Sequence, residues 1–321
     1  MAKAKDKIAV LGAGLIGAGW AARLSYAGHE VALYDTSASV EGRAREVIDR
    51  GHKALSDLAG SRTPAPIRFT TDLNAAIAGA AFVQEAAPER EDVKRKLFTA
   101  VSKALPADIV IASSSSAFLP TRLQEGMTHP ERILIGHPFN PVYLIPLCEI
   151  VGGKATSAAA MSKAKALYDS VGMHSLVMDK EIDAYIANRL QEAVWTESLH
   201  LIDQGIATAG QIDDAVAFGP GLRWAFMGAF VTSHLAGGAG GMRYFVEHFG
   251  PSLANPNCFM KPPKITPELI EKIASQTEAK VGAQPVAEME AVRDRALVAV
   301  MKALAEVGIG AGETVKAFKR S

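Results

Sequence analysis

Residues Lys7–Leu11 read KIAVL, a short apolar run of strand type, and Gly12-Ala-Gly14-Leu15-Ile16-Gly17 follows at once. A helical pattern runs from about Ile16 to Ala27 and stops at Gly28. A second apolar run, Glu30–Tyr34, ends in Asp35. Strand, glycine turn, helix, strand and acid in this order and at these lengths specify a parallel βαβ unit that binds a dinucleotide. Gly12 allows the tight turn, Gly14 lets a pyrophosphate approach the backbone, and Gly17 lets the helix pack on the strand. The helix N-terminus, with Leu15 and Ile16 in its first turn, offers unpaired N–H groups and partial positive charge to phosphates. Asp35 can accept both hydroxyl hydrogens of an adenosine ribose and would repel a 2′-phosphate, which selects NAD over NADP. The bland alternative is a glycine-rich turn with no ligand.

Further strand-like runs follow at Ile67–Thr70, Phe82–Ala86, Ile109–Ala112, Ile133–Gly136, Leu147–Val151 and Ser175–Met178, with helical patterns between most of them. One amphipathic stretch, PEREDVKRKLFTAVSKAL, places Leu97, Val101 and Leu105 on one face. From about Asp179 strand signals vanish. Helices are expected at Tyr185–Asp203, Ala209–Phe218, Gly241–Phe249, Pro267–Val281 and Val286–Glu306. Asn255–Pro263 reads as a proline-rich loop, and the tail from Gly308 is expected to be loose. The expected fold is α/β: a Rossmann-type doubly wound sheet over residues 1–180, then an all-helical domain over 181–321. A length of 321 residues accommodates two domains.

Charge narrows the partners. Lys plus Arg and Asp plus Glu number 34 each, so nothing favours nucleic acid or an anionic membrane. MAKAKDK runs straight into a strand with no separate apolar leader, and no stretch reaches the roughly 18 apolar residues of a membrane span. A cytoplasmic protein is the expectation. Cys148 and Cys258 have no metal-ligand spacing, so neither zinc nor a disulfide framework is expected.

GHPFNPVYLIPLCEIV, residues 136–151, holds His137 and, twelve positions on, Glu149 in otherwise apolar company. A carboxylate in such company is costly unless paired. An imidazole donating one nitrogen to it is the obvious partner, and the other nitrogen is then free to take a proton. Pro138, Pro141 and Pro146 forbid a continuous helix, so two short strands joined by a stiff turn bring the pair together. The alternative is a histidine at a strand end with no special partner. The run Ser113–Ser116 ends another strand. It is either a polar cap or a hydroxyl facing a ligand. Pro88 and Glu89 also sit at a strand's carboxyl end, with Lys94 in the first turns of the following helix.

VLGAGLIGAGW, QEAAPEREDVK, ASSSSAF, GHPFNPVYLIPLCEIV and IANRL, in this order over about residues 7–240, resemble the 3-hydroxyacyl-CoA dehydrogenase superfamily. The resemblance implies an NAD domain, a helical dimerising domain, and oxidation of an L-3-hydroxy group to a ketone. It carries the base onto His137 and the orienting acid onto Glu149. Ser116 and Asn188 become hydrogen-bonding groups for the substrate oxygen and the histidine, and Glu89 and Lys94 become contacts near the nicotinamide. The region before IRF is short and poor in lysine, unlike the CoA-contacting hairpin of acyl-CoA members, and SSSS replaces their usual Asn-Thr-Ser core. FGPGLRWAFMGAF and GGMRYFVEHFGPSL are more similar to the carnitine 3-dehydrogenase group. The alternatives are L-gulonate 3-dehydrogenase, 3-hydroxybutyryl-CoA dehydrogenase, and a non-catalytic NAD-binding protein of crystallin type.

A carnitine substrate needs aromatic faces and an anion for its trimethylammonium. Asn188, Glu192 and Trp195 are spaced i, i+4, i+7 on one helix face. Phe139, Tyr143 and Trp224 are further cage candidates, and Arg223 is the candidate for the carboxylate. Periodicity alone reads Trp195 as core, and reads Glu192 and Arg223 as ion-pair formers. The other histidines, His200 and His234 among them, read as surface or satisfied helix positions.

Overall fold

A computed structural model of the protein describes residues 5–253, 264, 266–281 and 285–320. The fingerprint region forms β1 (Lys5–Leu11), α1 (Leu15–Tyr26) and β2 (His29–Tyr34). There follow α2 (Glu41–Ala59), β3 (Ile67–Thr70), α3 (Leu73–Ile77), β4 (Phe82–Glu85), α4 (Glu91–Ala104), β5 (Val110–Ser113) and α5 (Pro120–Gln124). β6 (Ile133–Pro138), β7 (Leu147–Gly152), α6 (Ala158–Ser170) and β8 (His174–Met178) complete one eight-stranded sheet of order β3-β2-β1-β4-β5-β6-β7-β8. The order reverses between β1 and β4, which opens a crevice at the strands' carboxyl ends.

Neighbours are parallel from β3 through β6, and β7 pairs antiparallel with β6. The reason is chain length. Only residues 139–146 separate β6 from β7, too few for the crossover that a parallel pair requires. The register that results sets His137 directly opposite Glu149.

Alternation along β1 divides the core. Ile8 and Val10 pack with Trp20, Tyr26, Leu55 and Tyr168 on one face of the sheet. Ala9 and Leu11 pack with Phe98, Val101 and Leu123 on the other. Arg23 lies buried in the first layer and donates to five backbone carbonyls, those of Val142, Tyr143, Leu144, Val171 and Gly172. Burial pushes its guanidinium down to about 9. Arg23 thereby ties α1 to the turn after β6.

The second unit, Ile186–Arg293, is helical over its described residues. It contains α7 (Ala187–Asp203), α8 (Ala209–Ala217), α9 (Pro220–Trp224), α10 (Ala229–Ala236), α11 (Gly241–Leu253) and α12 (Pro267–Val281). Thr208 and Gln211 form a reciprocal capping box at the start of α8. The expected loop at 255–263 lies outside the described residues. Among the described residues no helix is long and apolar enough to cross a membrane.

Two expectations are corrected. Residues 181–321 do not all belong to the second unit: the chain rejoins the first at Asp294, within α13 (Val286–Val307). The tail from Gly308 is not loose but forms α14 (Ala311–Arg320). Val315 and Phe318, three residues apart, are buried in the first core layer. The Phe318 ring lies 5.4 Å from that of Tyr26 and beneath the guanidinium of Arg62.

Candidate active site

The glycine turn is shaped for close approach. Gly12 has φ +111°, and an added Cβ would lie 2.4 Å from the Ala86 carbonyl oxygen. A Cβ on Gly17 would meet the Gly12 oxygen at 1.8 Å. At Gly14, by contrast, a Cβ would meet nothing within 4 Å. Gly14 caps α1 with no side-chain hydrogen bond, so the helix N-terminus is left to other partners. Leu15 is exposed and Ile16 half-buried in that first turn. Asp35 follows β2. Its Oδ2 accepts from Ala13 N at 2.9 Å and its Oδ1 from Ser37 N at 3.1 Å, which fixes the carboxylate beside the turn. Open space at Gly14, an uncapped helix start and a held acid fit the pyrophosphate and ribose of NAD.

A charge cluster stands at the end of β4, with Lys94 and Glu85 buried and Glu89 exposed at its edge. Lys94 Nζ lies 2.7 Å from Glu85 Oε1 and 3.1 Å from Glu89 Oε2. Glu85 accepts further bonds from Ala87 N and Ser113 Oγ. Glu89 accepts from Ser115 Oγ and from the backbone N–H groups of Ser116 and Ala117. Burial pushes the Glu85 carboxyl up despite Lys94. Burial opposes the charge on Glu89 too, but Lys94 and the hydrogen bonds outweigh it and hold that carboxyl below its usual range. The serine run divides its labour. Ser113 and Ser115 serve Glu85 and Glu89. Ser114 Oγ accepts from Gln84 Nε2 at 2.8 Å and Trp20 Nε1 at 3.1 Å. Gln84 in turn accepts from the Tyr168 hydroxyl at 2.6 Å.

His137 Nδ1 lies 2.8 Å from Glu149 Oε2, both side chains buried. An imidazole N–H donating to that carboxylate fixes the tautomer and leaves Nε2 for proton transfer. The Phe139 ring meets the His137 ring edge-on at 5.1 Å, and the Tyr185 ring lies 5.3 Å away. Neighbouring Cys148 is no candidate nucleophile, because burial pushes its thiol well up.

Tyr143 does not belong to a ligand cage. Its ring is buried against Gly51, where an added Cβ would lie 3.0 Å from Cγ, and its hydroxyl donates to Asp294 Oδ2 at 2.7 Å. In the second unit, Asn188 is half-buried near the start of α7, with Glu192 and Trp195 exposed further along. Arg223 and Trp224 are exposed at the end of α9. His234 Nδ1 accepts from Met242 N at 3.1 Å. Among the described residues no cluster of three or more His, Cys, Asp or Glu is placed to hold a metal.

Glu85, Gln84 and Tyr185 lie against these candidates, and sequence analysis singled out none of the three. For the first two a signal existed: buried polar groups must be hydrogen-bonded, and QE stands inside an apolar strand. Tyr185 gave none: it read as the first residue of the expected helix, which begins only at Ala187.

Known proteins resemble this chain in sequence and in fold. Residues 7–182 match the family model of the 3-hydroxyacyl-CoA dehydrogenase NAD binding domain, and 185–287 that of the C-terminal domain. The chain is 44% identical over 298 residues to an L-carnitine dehydrogenase of a Pseudomonas species, covering 92% of this chain and 93% of the relative. It is also 44% identical to an L-carnitine dehydrogenase of Pseudomonas aeruginosa, covering 93% and 94%. Among solved structures, an NAD+-dependent 5-formyl-3-hydroxy-2-methylpyridine 4-carboxylic acid 5-dehydrogenase superposes with TM-score 0.81 at 27% identity, covering 93% of this chain and 98% of that one. With its nucleotide crevice, its His137–Glu149 pair and both family domains in sequence order, the chain belongs to the 3-hydroxyacyl-CoA dehydrogenase family.

Proposed function

We propose that the protein oxidises L-carnitine to 3-dehydrocarnitine with NAD+ as acceptor. The observation that carries the reaction type is the buried His137–Glu149 hydrogen bond of 2.8 Å beside a dinucleotide crevice. The substrate rests on the L-carnitine dehydrogenases that the chain resembles at 44% identity.

In the proposed reaction the O–H and C3–H bonds of the substrate break and a C=O bond forms, giving NADH and one proton. Bound NAD+ supplies the hydride acceptor. Gly12, Gly14, Leu15, Ile16 and Gly17 would hold its pyrophosphate, Asp35 would hold its ribose, and Glu89 and Lys94 would serve its nicotinamide end. His137 Nε2 takes the proton from the 3-hydroxyl. Glu149 keeps the ring oriented and stabilises the imidazolium that forms. Ser116 and Asn188 hydrogen-bond to the substrate oxygen. Trp195, Trp224 and Phe139, with the carboxylate of Glu192, take the trimethylammonium, and Arg223 takes the carboxylate. The first unit is the nucleotide domain. The second contributes substrate residues and the contact of a homodimer, and the enzyme works in the cytoplasm.

The test is NADH formation at alkaline pH, which favours proton release, with L-carnitine, D-carnitine, L-gulonate and L-3-hydroxybutyryl-CoA side by side. Turnover of L-carnitine far above the others is expected. Turnover confined to gulonate or the CoA ester would overturn the substrate and leave His137 as base. Light scattering on the purified protein tests the dimer.

A further inference from the structure

Tyr185 is the last residue of the first unit, and it follows Ala184 in an unusual backbone. Both are non-glycine residues in the left-handed region, Ala184 at φ +61° and Tyr185 at φ +53°. Side chains resist this conformation, and such residues persist only where the surroundings hold them there. What holds Tyr185 is visible. Its side chain is fully buried, its hydroxyl donates to the Phe118 carbonyl at 2.7 Å, and its ring lies 5.3 Å from the His137 ring at an angle of 54°.

Each end of that side chain reaches a different part of the site. Phe118 closes the serine turn: its N–H donates to Ser115 Oγ at 3.0 Å, and Ser115 Oγ in turn donates to Glu89. Ser116 lies inside the same turn, with its N–H on Glu89 at 3.1 Å. At the other end, the ring covers the imidazole whose Nδ1 is bonded to Glu149. Phe139 packs against that imidazole as well, so two rings restrict its rotation. Burial, followed by the charges of Glu89, Glu149 and Glu181, pushes the phenol pKa up, which keeps the hydroxyl a neutral donor.

We propose that Tyr185 is a positioning residue that joins the serine turn to His137. Its hydroxyl anchors the turn that carries Ser116, and its ring shields the imidazole and fixes its orientation. Both ends act through other residues, the hydroxyl through Phe118 and the ring through His137. The left-handed pair at 184 and 185 is the backbone shape in which the side chain makes these two contacts. The inference rests on the proposed role of His137 as base.

Two variants separate the two ends. Tyr185→Phe keeps the ring and removes the anchor, and Tyr185→Leu removes both. The substrate-independent measurement is the rate at which diethyl pyrocarbonate modifies His137, read by peptide mass spectrometry with the other histidines as internal controls. In Tyr185→Leu, modification of His137 is expected to rise at least fivefold with the other histidines unchanged; in Tyr185→Phe it stays at the wild-type rate. In parallel, oxidation of L-carnitine should lose at least tenfold in kcat in Tyr185→Leu and a few-fold in Tyr185→Phe, with KM for NAD within twofold in both. A wild-type modification rate in the leucine variant would overturn the inference. So would a general rise at every histidine, the mark of a packing defect. If the wild-type protein does not oxidise L-carnitine, the proposed function fails, and the His137 modification rates still decide the role of Tyr185.

Discussion

His137 and Glu149 face each other across the β6/β7 ladder with Nδ1 and Oε2 2.8 Å apart. The ladder, not a flexible loop, sets that distance, so each partner's loss should act on chemistry more than on cofactor binding. Glu149→Gln and His137→Gln are each expected to lower kcat by about 10²–10⁴-fold, the usual contribution of a general base. Quenching of tryptophan fluorescence by NADH should remain near wild type. Undiminished turnover in His137→Gln would remove the residue from the base role.

Lys94 is shared by two carboxylates with opposite behaviour. Its removal leaves Glu85 buried and unpaired, so Lys94→Met should cost about 3–5 kcal/mol in urea unfolding. Adding Glu85→Gln should recover part of that loss. Glu89 has its carboxyl held below the usual range, so its contribution is complete above about pH 4.3, the ordinary glutamate value, and is lost as pH falls through the lower folded value. Glu85, raised by burial, has the opposite sign: its contribution declines as pH rises through its folded value. The advantage of the wild type over Lys94→Met should therefore shrink as pH falls, because protonation relieves the unpaired carboxylates of the variant while the wild type loses the contribution of Glu89, which urea titrations from pH 7 down to pH 3 would show.

The sheet was legible because parallel strands covered on both faces read as apolar runs, and KIAVL and the runs that follow it do so. His137 and Glu149 were legible as a candidate pair because prolines leave their segment only short strands and a turn. Tyr143 was misjudged for the complementary reason: nothing in VYLIP says which side of the turn its ring takes, and only the packing against Gly51 and Asp294 decides it. The helix over Ala311–Arg320 is hard to read because its sequence is largely polar, although the spacing of Val315 and Phe318 places both on one helical face. The roles of Glu85 and Tyr185 depend on partners far away in sequence, which no local pattern records.

That last helix yields its own prediction. Gly172 has φ +73°, and a Cβ there would lie 2.7 Å from Cγ of Phe318. Phe318→Ala should cost about 3–5 kcal/mol, as for other buried aromatic truncations. Gly172→Ala should be destabilising as well, with about 1–2 kcal/mol from the left-handed backbone alone. Thermal unfolding checks both, and an unchanged Tm for Phe318→Ala would mean that the helix does not brace the nucleotide unit.

Asp35 should control cofactor choice. It accepts from Ala13 N, so it both shapes the turn and presents a carboxylate to the ribose. Asp35→Ala is expected to raise KM for NAD about 10–100-fold, the equivalent of about 1.5–3 kcal/mol of hydrogen bonding to a charged group. The penalty for NADP should shrink, since the repulsion of its 2′-phosphate goes with the carboxylate. Equal loss with both cofactors would mean that Asp35 acts on the turn alone.

Trp195 permits the sharpest test of the substrate. It is 56% exposed on α7, so it is not a core tryptophan, and its truncation should change stability by no more than about 0.5 kcal/mol. An indole face that takes a trimethylammonium contributes about 0.5–2 kcal/mol, which corresponds to about 2–30-fold in affinity. Trp195→Ala should therefore raise KM for L-carnitine by that factor with little change in kcat. KM for an uncharged 3-hydroxy acid of similar length should stay constant, because it presents no cation to the ring. Glu192, one helical turn before Trp195 on the same helix, should show the same selectivity in Glu192→Gln through charge rather than stacking. If both variants lose the charged and the uncharged substrate equally, the two residues shape the helix and do not read the ammonium.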